Sequence, residues 1–203
     1  MKYEVFRRCD GVEQARLFWA VNLPNDVKLK LAELQVRMRR KSADVKWVEQ
    51  QNLHLTVKFL GNVGRDRINE VTRAVESAVA DSGPIKLELG GTGFFPHQMQ
   101  PRVIWVGVRG ELDKFRRLYR LVEKSLAGIG FPPENRGFSP HLTLGRVRSP
   151  KGVDDLAREL EATARELACF GRVGVKTVDL MESELTSRGP VYSVLDRVKL
   201  AGV

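Results

Sequence analysis

The 203-residue chain has few of the residues from which metal centres and disulfide frameworks are built: two cysteines and three histidines. Cys9 and Cys169 lie far apart, so they form neither a zinc-ligand spacing nor the cysteine pattern of small secreted domains. A chain of this length buries about 70% of the surface of its unfolded form, so its core needs no cross-link. We therefore expect no metal, no cofactor and a location in the reducing cytoplasm.

Long apolar runs are also missing from the sequence. No stretch approaches the roughly 20 apolar residues of a membrane-spanning helix, which argues against a membrane partner. Basic residues are in excess, since 34 Lys and Arg stand against 25 Asp and Glu, a formal net charge of +9. This balance favours polyanions such as nucleic acid as partners, although basic clusters on helices are commonly solvated faces.

A four-residue pattern occurs twice in the chain: His54-Leu55-Thr56-Val57 and His141-Leu142-Thr143-Leu144. Because successive side chains of a β-strand point to opposite faces, each His shares a face with the Thr two residues later. The same alternation puts Lys58 with His54 and Thr56, and Phe59 with the apolar residues. Each copy therefore predicts a half-buried strand with one chemical face, and two such strands can frame one cleft.

The surroundings of the two copies repeat as well, which indicates an internal duplication. Strand-like segments around Trp19 and Trp105 precede the two histidines at spacings that differ by one residue. Each half reads as strand, helix, His-Thr strand, helix, strand, and a last strand is predicted near 192–200. From the spacing of apolar residues, the helices are predicted at 26–40, 68–81, 111–126 and 153–168, and the closing strands at 85–89 and 173–178.

This organisation predicts an α+β fold in a single domain of residues 15–203, with repeats at about 15–91 and 101–180. Residues 1–14 are interpreted as an extension before the first strand. The glycine-rich segment 90–96 is predicted to be the linker between the two halves.

Two histidines and two hydroxyls that face one cleft suit phosphoryl transfer. An imidazole has an ordinary pKa of about 6.5, so one copy can accept a proton from the attacking oxygen while the other donates one to the departing oxygen. The hydroxyls of Thr56 and Thr143 can donate hydrogen bonds to the non-bridging phosphate oxygens. Zinc binding would need a third and usually a fourth donor, and neither motif supplies one at ligand spacing.

Several segments of the chain match one known family in the family's order. They are Arg16–Val21 with Leu23-Pro24, Asn52–Gly61, Pro101–Gly107, Phe138–Arg146, Glu184-Leu185 and Gly189–Tyr192. The sequence resembles the 2H phosphoesterases, named for two His-x-Thr-x motifs, from about Ala15 to the C-terminus. Among them it is similar to the bacterial and archaeal RNA 2′,3′-cyclic phosphodiesterases, first described as 2′-5′ RNA ligases.

The resemblance implies a bilobal, pseudo-symmetric α+β fold in which two antiparallel sheets, with helices outside, line a central groove. It implies metal-independent hydrolysis of RNA 2′,3′-cyclic phosphate ends to 2′-phosphomonoesters, reversible in principle as 2′-5′ ligation. His54 would be the proton donor to the leaving 3′ oxygen and His141 the proton acceptor that activates water. Thr56 and Thr143 would hold the phosphate. The expected partner is an RNA or oligonucleotide with a 2′,3′-cyclic phosphate, bound by a monomer.

Two basic residues are candidates for phosphate binding. Arg146 matches a position where similar proteins carry a phosphate-contacting arginine, but strict alternation from His141 puts it on the wrong face. Gly145 is typical of a bulge or strand end, which would turn the next side chain toward the cleft. Lys58 has the required parity without such help. His97 is interpreted as an exposed loop residue with no catalytic role.

The larger aromatic residues divide into two groups. Trp19, Trp105 and Phe59 are expected in the core. Residues beside glycine or proline loops are candidates to contact a nucleobase, namely Phe94, Phe95 and Tyr192.

Alternatives to the cyclic phosphodiesterase remain open. One is an RNA-binding module that keeps the groove without turnover, for which the basic charge would suffice, although the intact His and Thr residues favour catalysis. Another is a related phosphodiesterase that acts on 2′-5′-linked oligonucleotides or on small cyclic nucleotides. Incubation with a cyclic-phosphate RNA in excess chelator discriminates among these functions.

Overall fold

The computed structural model describes residues 13–97, 99–135, 137–187 and 189–202. Residues 1–12, which include Cys9 and most of the predicted extension, lie outside the described residues. The helices are α1 (Asn25–Arg39), α2 (Ile68–Val79), α3 (Leu112–Ala127) and α4 (Val153–Glu166). The strands are β1 (Gln14–Asn22), β2 (Val45–Trp47), β3 (His54–Gly64), β4 (Ile85–Phe95), β5 (Val103–Gly110), β6 (His141–Val147), β7 (Gly171–Val175), β8 (Thr177–Thr186) and β9 (Gly189–Lys199).

The helices form where apolar residues recur at intervals of three and four. In α3, for example, Phe115, Leu118, Val122 and Leu126 are buried, so one stripe of the helix faces the core. All four predicted helices are found, and their ends differ from the predicted ones by at most two residues. No helix in the described ranges is long and apolar enough to cross a membrane.

The strands form one antiparallel sheet that divides into two lobes. Their order is β7-β4-β5-β6-β3-β1-β8-β9, and β2 pairs with β6. At the centre, β3 and β6 are joined through one residue pair, Leu55 with Leu142. The first lobe is therefore β3, β1, β8 and β9, and the second is β6, β5, β4 and β7 with β2. The predicted α+β fold is confirmed, and the two lobes of the sheet meet at this one bridge.

The two halves of the sequence interlock, so neither forms a lobe by itself. β4 follows the helices of the first half but pairs with β5 and β7 in the second lobe. β8 follows the helices of the second half and pairs with β1 in the first lobe. Two of the helices cross over in the same way, since α1 packs beside β7 and α4, and α3 packs on β3. Each lobe thus needs chain from both halves.

The main core lies between the helices and one face of the sheet. Trp19 of β1 belongs to it and is completely buried, as expected. A second, smaller cluster contains Phe18, Ala20 and Met181, with Tyr192 packed against it. Because Phe18 and Ala20 flank Trp19 in an alternating strand, this cluster lies on the opposite face of the sheet.

Three segments differ from the sequence-based prediction. Segment 90–96 is not a linker, because β4 continues to Phe95 and a register shift between Leu89 and Thr92 puts Gly90 and Gly91 in a bulge. The single strand expected at 173–178 is two strands, β7 and β8, with Lys176 between them. β2 is too short to show an alternating pattern and was not expected.

Candidate active site

Each candidate histidine is the first residue of its strand and is fixed by a backbone carbonyl two residues earlier. His54 Nδ1 lies 2.7 Å from Asn52 O, and His141 Nδ1 lies 2.8 Å from Ser139 O. A carbonyl oxygen can only accept a hydrogen bond, so Nδ1 carries the proton in both rings. In the neutral imidazole Nε2 is then unprotonated and available for proton transfer.

The threonines lie on the same face as the histidines. Thr56 Oγ1 is 3.0 Å from His54 Nε2, and with the tautomer above the hydroxyl donates this hydrogen bond. The intervening Leu55 and Leu142 are buried in the main core, on the other side of the sheet. We call the opposite side the histidine face, which carries His54, Thr56, His141 and Thr143.

The bridge between the lobes brings the two motifs together. Because Leu55 pairs with Leu142, antiparallel geometry sets His54 opposite Thr143 and Thr56 opposite His141. The two histidines are then diagonal neighbours, which in a regular ladder lie roughly 7–8 Å apart, with a somewhat smaller separation between their β-carbons. A gap of this size accommodates a phosphate group between the two rings. The structure therefore brings together the four residues that the repeated motif singled out.

His54 is held in its neutral form by its surroundings. Burial lowers its pKa to about 4; the hydrogen bond to Asn52 opposes this effect, and the nearby charge of Lys28 adds to it. The rings of Phe18 and Tyr192 enclose the imidazole, with centroids 5.0 and 5.4 Å away. In the free protein His54 is therefore uncharged at pH 7.

His141 stands in a more open environment. The edge of Phe95 packs against it at a centroid distance of 4.9 Å. Phe95 also contacts Trp105, at 5.3 Å. Nδ1 is fixed by the Ser139 carbonyl, so the ring presents Nε2 to the histidine face.

A bulge in β3 changes which side chains follow His54 and Thr56 on the histidine face. In the β1–β3 ladder Ala20 pairs with Thr56, but the next residue, Trp19, pairs with Lys58. Val57 is therefore an extra residue, and the alternation of the strand reverses after it. Lys58 turns to the core side with Trp19.

Lys58 consequently does not lie where alternation predicted. Its side chain is 2% exposed, and its Nζ lies 2.8 Å from Glu123 Oε1 of α3 and 2.6 Å from Pro132 O. A buried ammonium with these partners cannot reach a phosphate on the histidine face, so the prediction of Lys58 as a substrate-binding residue is wrong. Phe59 takes the position instead: it is 56% exposed and contacts Phe18, so it is not the core residue that was expected.

A bulge at the same place in the second motif has the effect that Gly145 suggested. Trp105 pairs with Thr143, but the preceding Ile104 pairs with Gly145, so Leu144 is the extra residue. Ile104 is buried in the core and Gly145 is opposite it. The residue after Gly145 therefore returns to the histidine face.

Arg146 lies on the histidine face as a result, beside two other cations that the sequence did not single out. It pairs with Lys46 across the β2–β6 ladder. Burial raises the pKa of the Tyr192 phenol, and the charges of Arg146 and Arg16 oppose that rise, which puts both cations close to Tyr192. All three cations are exposed. Exposed positive charges next to two histidines attract anions.

The two tryptophans occupy different faces, although the sequence suggested that they were equivalent. Trp19 is in the main core, whereas Trp105 is partly exposed on the histidine face, so the expectation of a core position for Trp105 is wrong. The strand pairing accounts for this: Trp105 pairs with Thr143, whereas the residue paired with Thr56 is Ala20 and Trp19 is its neighbour. A shift of one residue along a strand moves a side chain to the other face. Phe94 packs against the main core, so it does not lie where a candidate for nucleobase contact was expected. His97 is exposed in a loop, as expected.

Asp179, an acidic residue on the strand beside the smaller cluster, is already paired. Asp179, opposite Ala20, is buried and accepts hydrogen bonds from Arg197 Nε at 2.8 Å and from Asn22 Nδ2 at 2.7 Å. Among the residues that the structure describes, no group of three or more His, Cys, Asp and Glu side chains is arranged to hold a metal ion.

Comparison with known proteins identifies the family. A profile of the 2′-5′ RNA ligase superfamily matches residues 24–184, most of the chain. The chain belongs to this superfamily. It is 34% identical over 187 residues to the RNA 2′,3′-cyclic phosphodiesterase of Methanothermobacter thermautotrophicus, which covers 92% of this chain and 100% of that protein. It is 35% identical over 174 residues to the enzyme of the same name from Aeropyrum pernix, covering 85% of this chain and 96% of that one.

Solved structures of the superfamily share the fold. The TT0787 protein of Thermus thermophilus superposes with a TM-score of 0.75 at 28% identity, covering 92% of this chain and 98% of that one. E. coli LigT in complex with 3′-AMP superposes with a TM-score of 0.73 at 23% identity, covering 93% and 99%.

We predict that Lys58→Met lowers the free energy of unfolding by about 3–5 kcal/mol, because it leaves Glu123 buried without its partner. Replacing both residues by methionine should recover much of that loss, since no unpaired charge is then left in the core. Urea unfolding of the two variants measures both effects. A Lys58→Met protein of unchanged stability but weakened phosphate binding would show that Lys58 lies on the histidine face after all.

A second prediction concerns the protonation of His54. In an NMR titration of the free protein its imidazole should titrate near pH 4, below the ordinary value of about 6.5, with His54→Asn used to assign the signal. As the pH drops from about 6.5 toward 4, His54 becomes protonated in the unfolded chain but stays neutral in the folded protein. The free energy of unfolding should therefore fall over this range. A midpoint at or above the ordinary value would contradict the burial described above.

Proposed function

We propose that this protein hydrolyses RNA 2′,3′-cyclic phosphate ends to 2′-phosphomonoesters by general acid–base catalysis with His54 and His141. The observation that carries the proposal is the Leu55–Leu142 bridge, because it sets two similarly fixed imidazoles on either side of one gap. Relatives with 34–35% identity over most of the chain are named RNA 2′,3′-cyclic phosphodiesterases, which agrees with this reaction.

The reaction needs two proton transfers. His141 Nε2 takes a proton from a water molecule as the water oxygen forms a bond to phosphorus. The bond between phosphorus and the 3′ oxygen breaks on the opposite side, and His54 Nε2–H donates its proton to that oxygen. The products are a 2′-phosphate and a free 3′-hydroxyl. A 5′-hydroxyl of a second strand in place of water would give a 2′-5′ linkage by the same transfers.

The phosphate is held by hydroxyls and a cation. Thr56 and Thr143 donate hydrogen bonds to the non-bridging oxygens, where negative charge increases in the transition state. Arg146 extends from the strand that carries His141 and Thr143 and offers two parallel N–H donors to the same oxygens. These steps use only water and the protein's own groups.

His54 must carry a proton to act as the acid, although it is neutral at pH 7 in the free protein. The cyclic phosphate is an anion, and a negative charge within a few ångströms raises the pKa of an imidazole. Phe18 and Tyr192 exclude water around the ring, which strengthens this attraction. Substrate binding would thus raise the pKa of His54 and favour its protonated form, which is the form that acts as the acid. Adenosine 2′-monophosphate should likewise raise the midpoint of the His54 titration, and an unchanged midpoint would favour the opposite roles, with His54 as the base.

The direct test uses a short RNA that ends in a 2′,3′-cyclic phosphate, with excess chelator and no nucleotide cofactor. We predict a 2′-phosphate product, identified by ³¹P NMR. A reaction that requires a divalent ion would overturn the proposed chemistry, and a 3′-phosphate product would overturn the proposed choice of leaving oxygen. A protein that binds this RNA without converting it would be an RNA-binding module.

Variants of the histidines test their roles in the same assay. His54→Ala and His141→Ala should each lower kcat by roughly 10² to 10⁴, the usual contribution of a general acid or base. The double variant should be little slower than the slower single variant, because the two groups act in one step. His97→Ala is the matched control, since His97 is exposed in a loop, and its rate should equal that of wild type. Equal losses of kcat in the His54, His141 and His97 variants would remove the basis for assigning the acid and base roles to His54 and His141.

For Arg146 we predict that replacement by Ala weakens the binding of adenosine 2′-monophosphate by roughly 10-fold or more, the loss of a charge-assisted hydrogen bond of about 1.5–3 kcal/mol. Arg146→Lys should recover only part of the affinity, because it restores the charge without the planar fork. Isothermal titration calorimetry gives the three dissociation constants. Identical values would mean that Arg146 points away from the bound phosphate.

A further inference from the structure

A buried glutamine lies directly behind the bulge that turns Arg146 toward the histidine face. Gln35 of α1 is 3% exposed, among the apolar residues Leu31, Leu34 and Met38 that the same helix buries. A buried polar side chain in such a stripe is costly unless it is fully hydrogen-bonded. Both hydrogens of Gln35 Nε2 are used, because this nitrogen donates to two backbone carbonyl oxygens.

The two acceptors belong to the bulge and to the segment beside it. Gln35 Nε2 lies 2.9 Å from Leu144 O, the carbonyl of the extra residue in β6, and 2.8 Å from Val48 O, just after β2. The amide of Val48 also donates to Leu144 O, at 2.9 Å. One amide group with two hydrogens thus ties the bulge to the end of β2.

The direction of Arg146 depends on this bulge. Without the extra residue, the alternation that starts at His141 would turn Arg146 to the core side, as it does Leu142 and Leu144. We propose that Gln35 is a positioning residue, which holds the bulge at Leu144 and thereby keeps Arg146 aimed at the phosphate. The proposal rests on the phosphate-binding role of Arg146 given under Proposed function.

The first motif has a comparable support, which supplies a matched control. Glu123 lies near the end of α3, as Gln35 lies near the end of α1, and it reaches the bulge in β3 through Lys58. Its second oxygen accepts a hydrogen bond from the Glu134 amide at 2.9 Å. In each motif, a buried polar side chain from a helix of the other half supports the bulge. The first bulge turns Phe59 rather than an arginine to the histidine face.

The test is a double-mutant cycle between Gln35→Met and Arg146→Ala, with binding of adenosine 2′-monophosphate measured by calorimetry well below the unfolding temperature. Methionine keeps the approximate volume and removes both donors. Gln35→Met alone should weaken binding by roughly 5- to 20-fold, because Arg146 would then be aimed at the phosphate in only a fraction of the molecules and the apparent affinity falls by that fraction. In the Arg146→Ala background the same change should weaken it by less than about 2-fold, because there is no arginine left to aim.

Two further variants keep the experiment decisive. Gln35→Glu is the milder change, because a buried carboxyl that faces two carbonyl oxygens is protonated and donates one hydrogen bond. The affinity of this variant for adenosine 2′-monophosphate should lie between those of wild type and Gln35→Met. The control pair Lys58→Met with Glu123→Met alters the other bulge, and its effect on binding should be the same with and without Arg146.

Three results would overturn the proposal. One is unchanged binding in both Gln35 variants. Another is an equal loss in Gln35→Met with Arg146 present and with Arg146 replaced by alanine, which would make Gln35 a purely structural residue. The third is unchanged binding in Arg146→Ala alone, which would remove the phosphate role of Arg146 and with it the reason for positioning it.

Discussion

The pairing of Leu55 with Leu142 is the contact on which the functional geometry depends. In the described parts of the two lobes it is the one ladder pair that joins β3 to β6, and both leucines are buried in the main core. If the pairing of β3 with β6 slipped by one residue, the histidine of the shifted strand would point into that core. A slip of two residues would keep the face but displace one His-Thr motif along the other. The interlocked halves oppose such a slip, because β4, β8, α1 and α3 each pack in the lobe to which the other half contributes its His-Thr strand.

The bulges make a symmetric duplication into an asymmetric site. Both motifs place their His and Thr alike, which suits an acid and a base that act on one phosphate. After the bulge, however, the first strand presents Phe59 and the second presents Arg146. A nucleotide is asymmetric in the same sense, with an apolar base on one side and an anionic phosphate on the other. In the proposed mechanism, the duplicated strands combine equivalent proton-transfer groups with different binding groups.

The spacing of apolar residues was enough to predict the helices and, with the strand-like segments, the α+β fold class. Strand alternation was enough to predict the common face of His54, Thr56, His141 and Thr143. It failed at Lys58 because the bulge at Val57 contains no glycine, so nothing local marks it. The equivalent bulge was signalled by Gly145, whose missing β-carbon leaves room for Val45 at close approach. Glycines gave the opposite error in 90–96, where they mark a bulge within β4 rather than a linker. The pairing of residues between neighbouring strands decides where a bulge lies, and a single sequence does not reveal that pairing.

The central claim is that the two lobes present both histidines to one phosphate. A crystal structure of the protein with adenosine 2′-monophosphate measures this most directly. The account predicts one phosphate group with Nε2 of His54 and Nε2 of His141 both within hydrogen-bond distance, about 2.6–3.2 Å, of its oxygens, and with Thr56 and Thr143 donating to the remaining oxygens. A phosphate held by the residues of one lobe alone, with the second histidine out of reach, would contradict it.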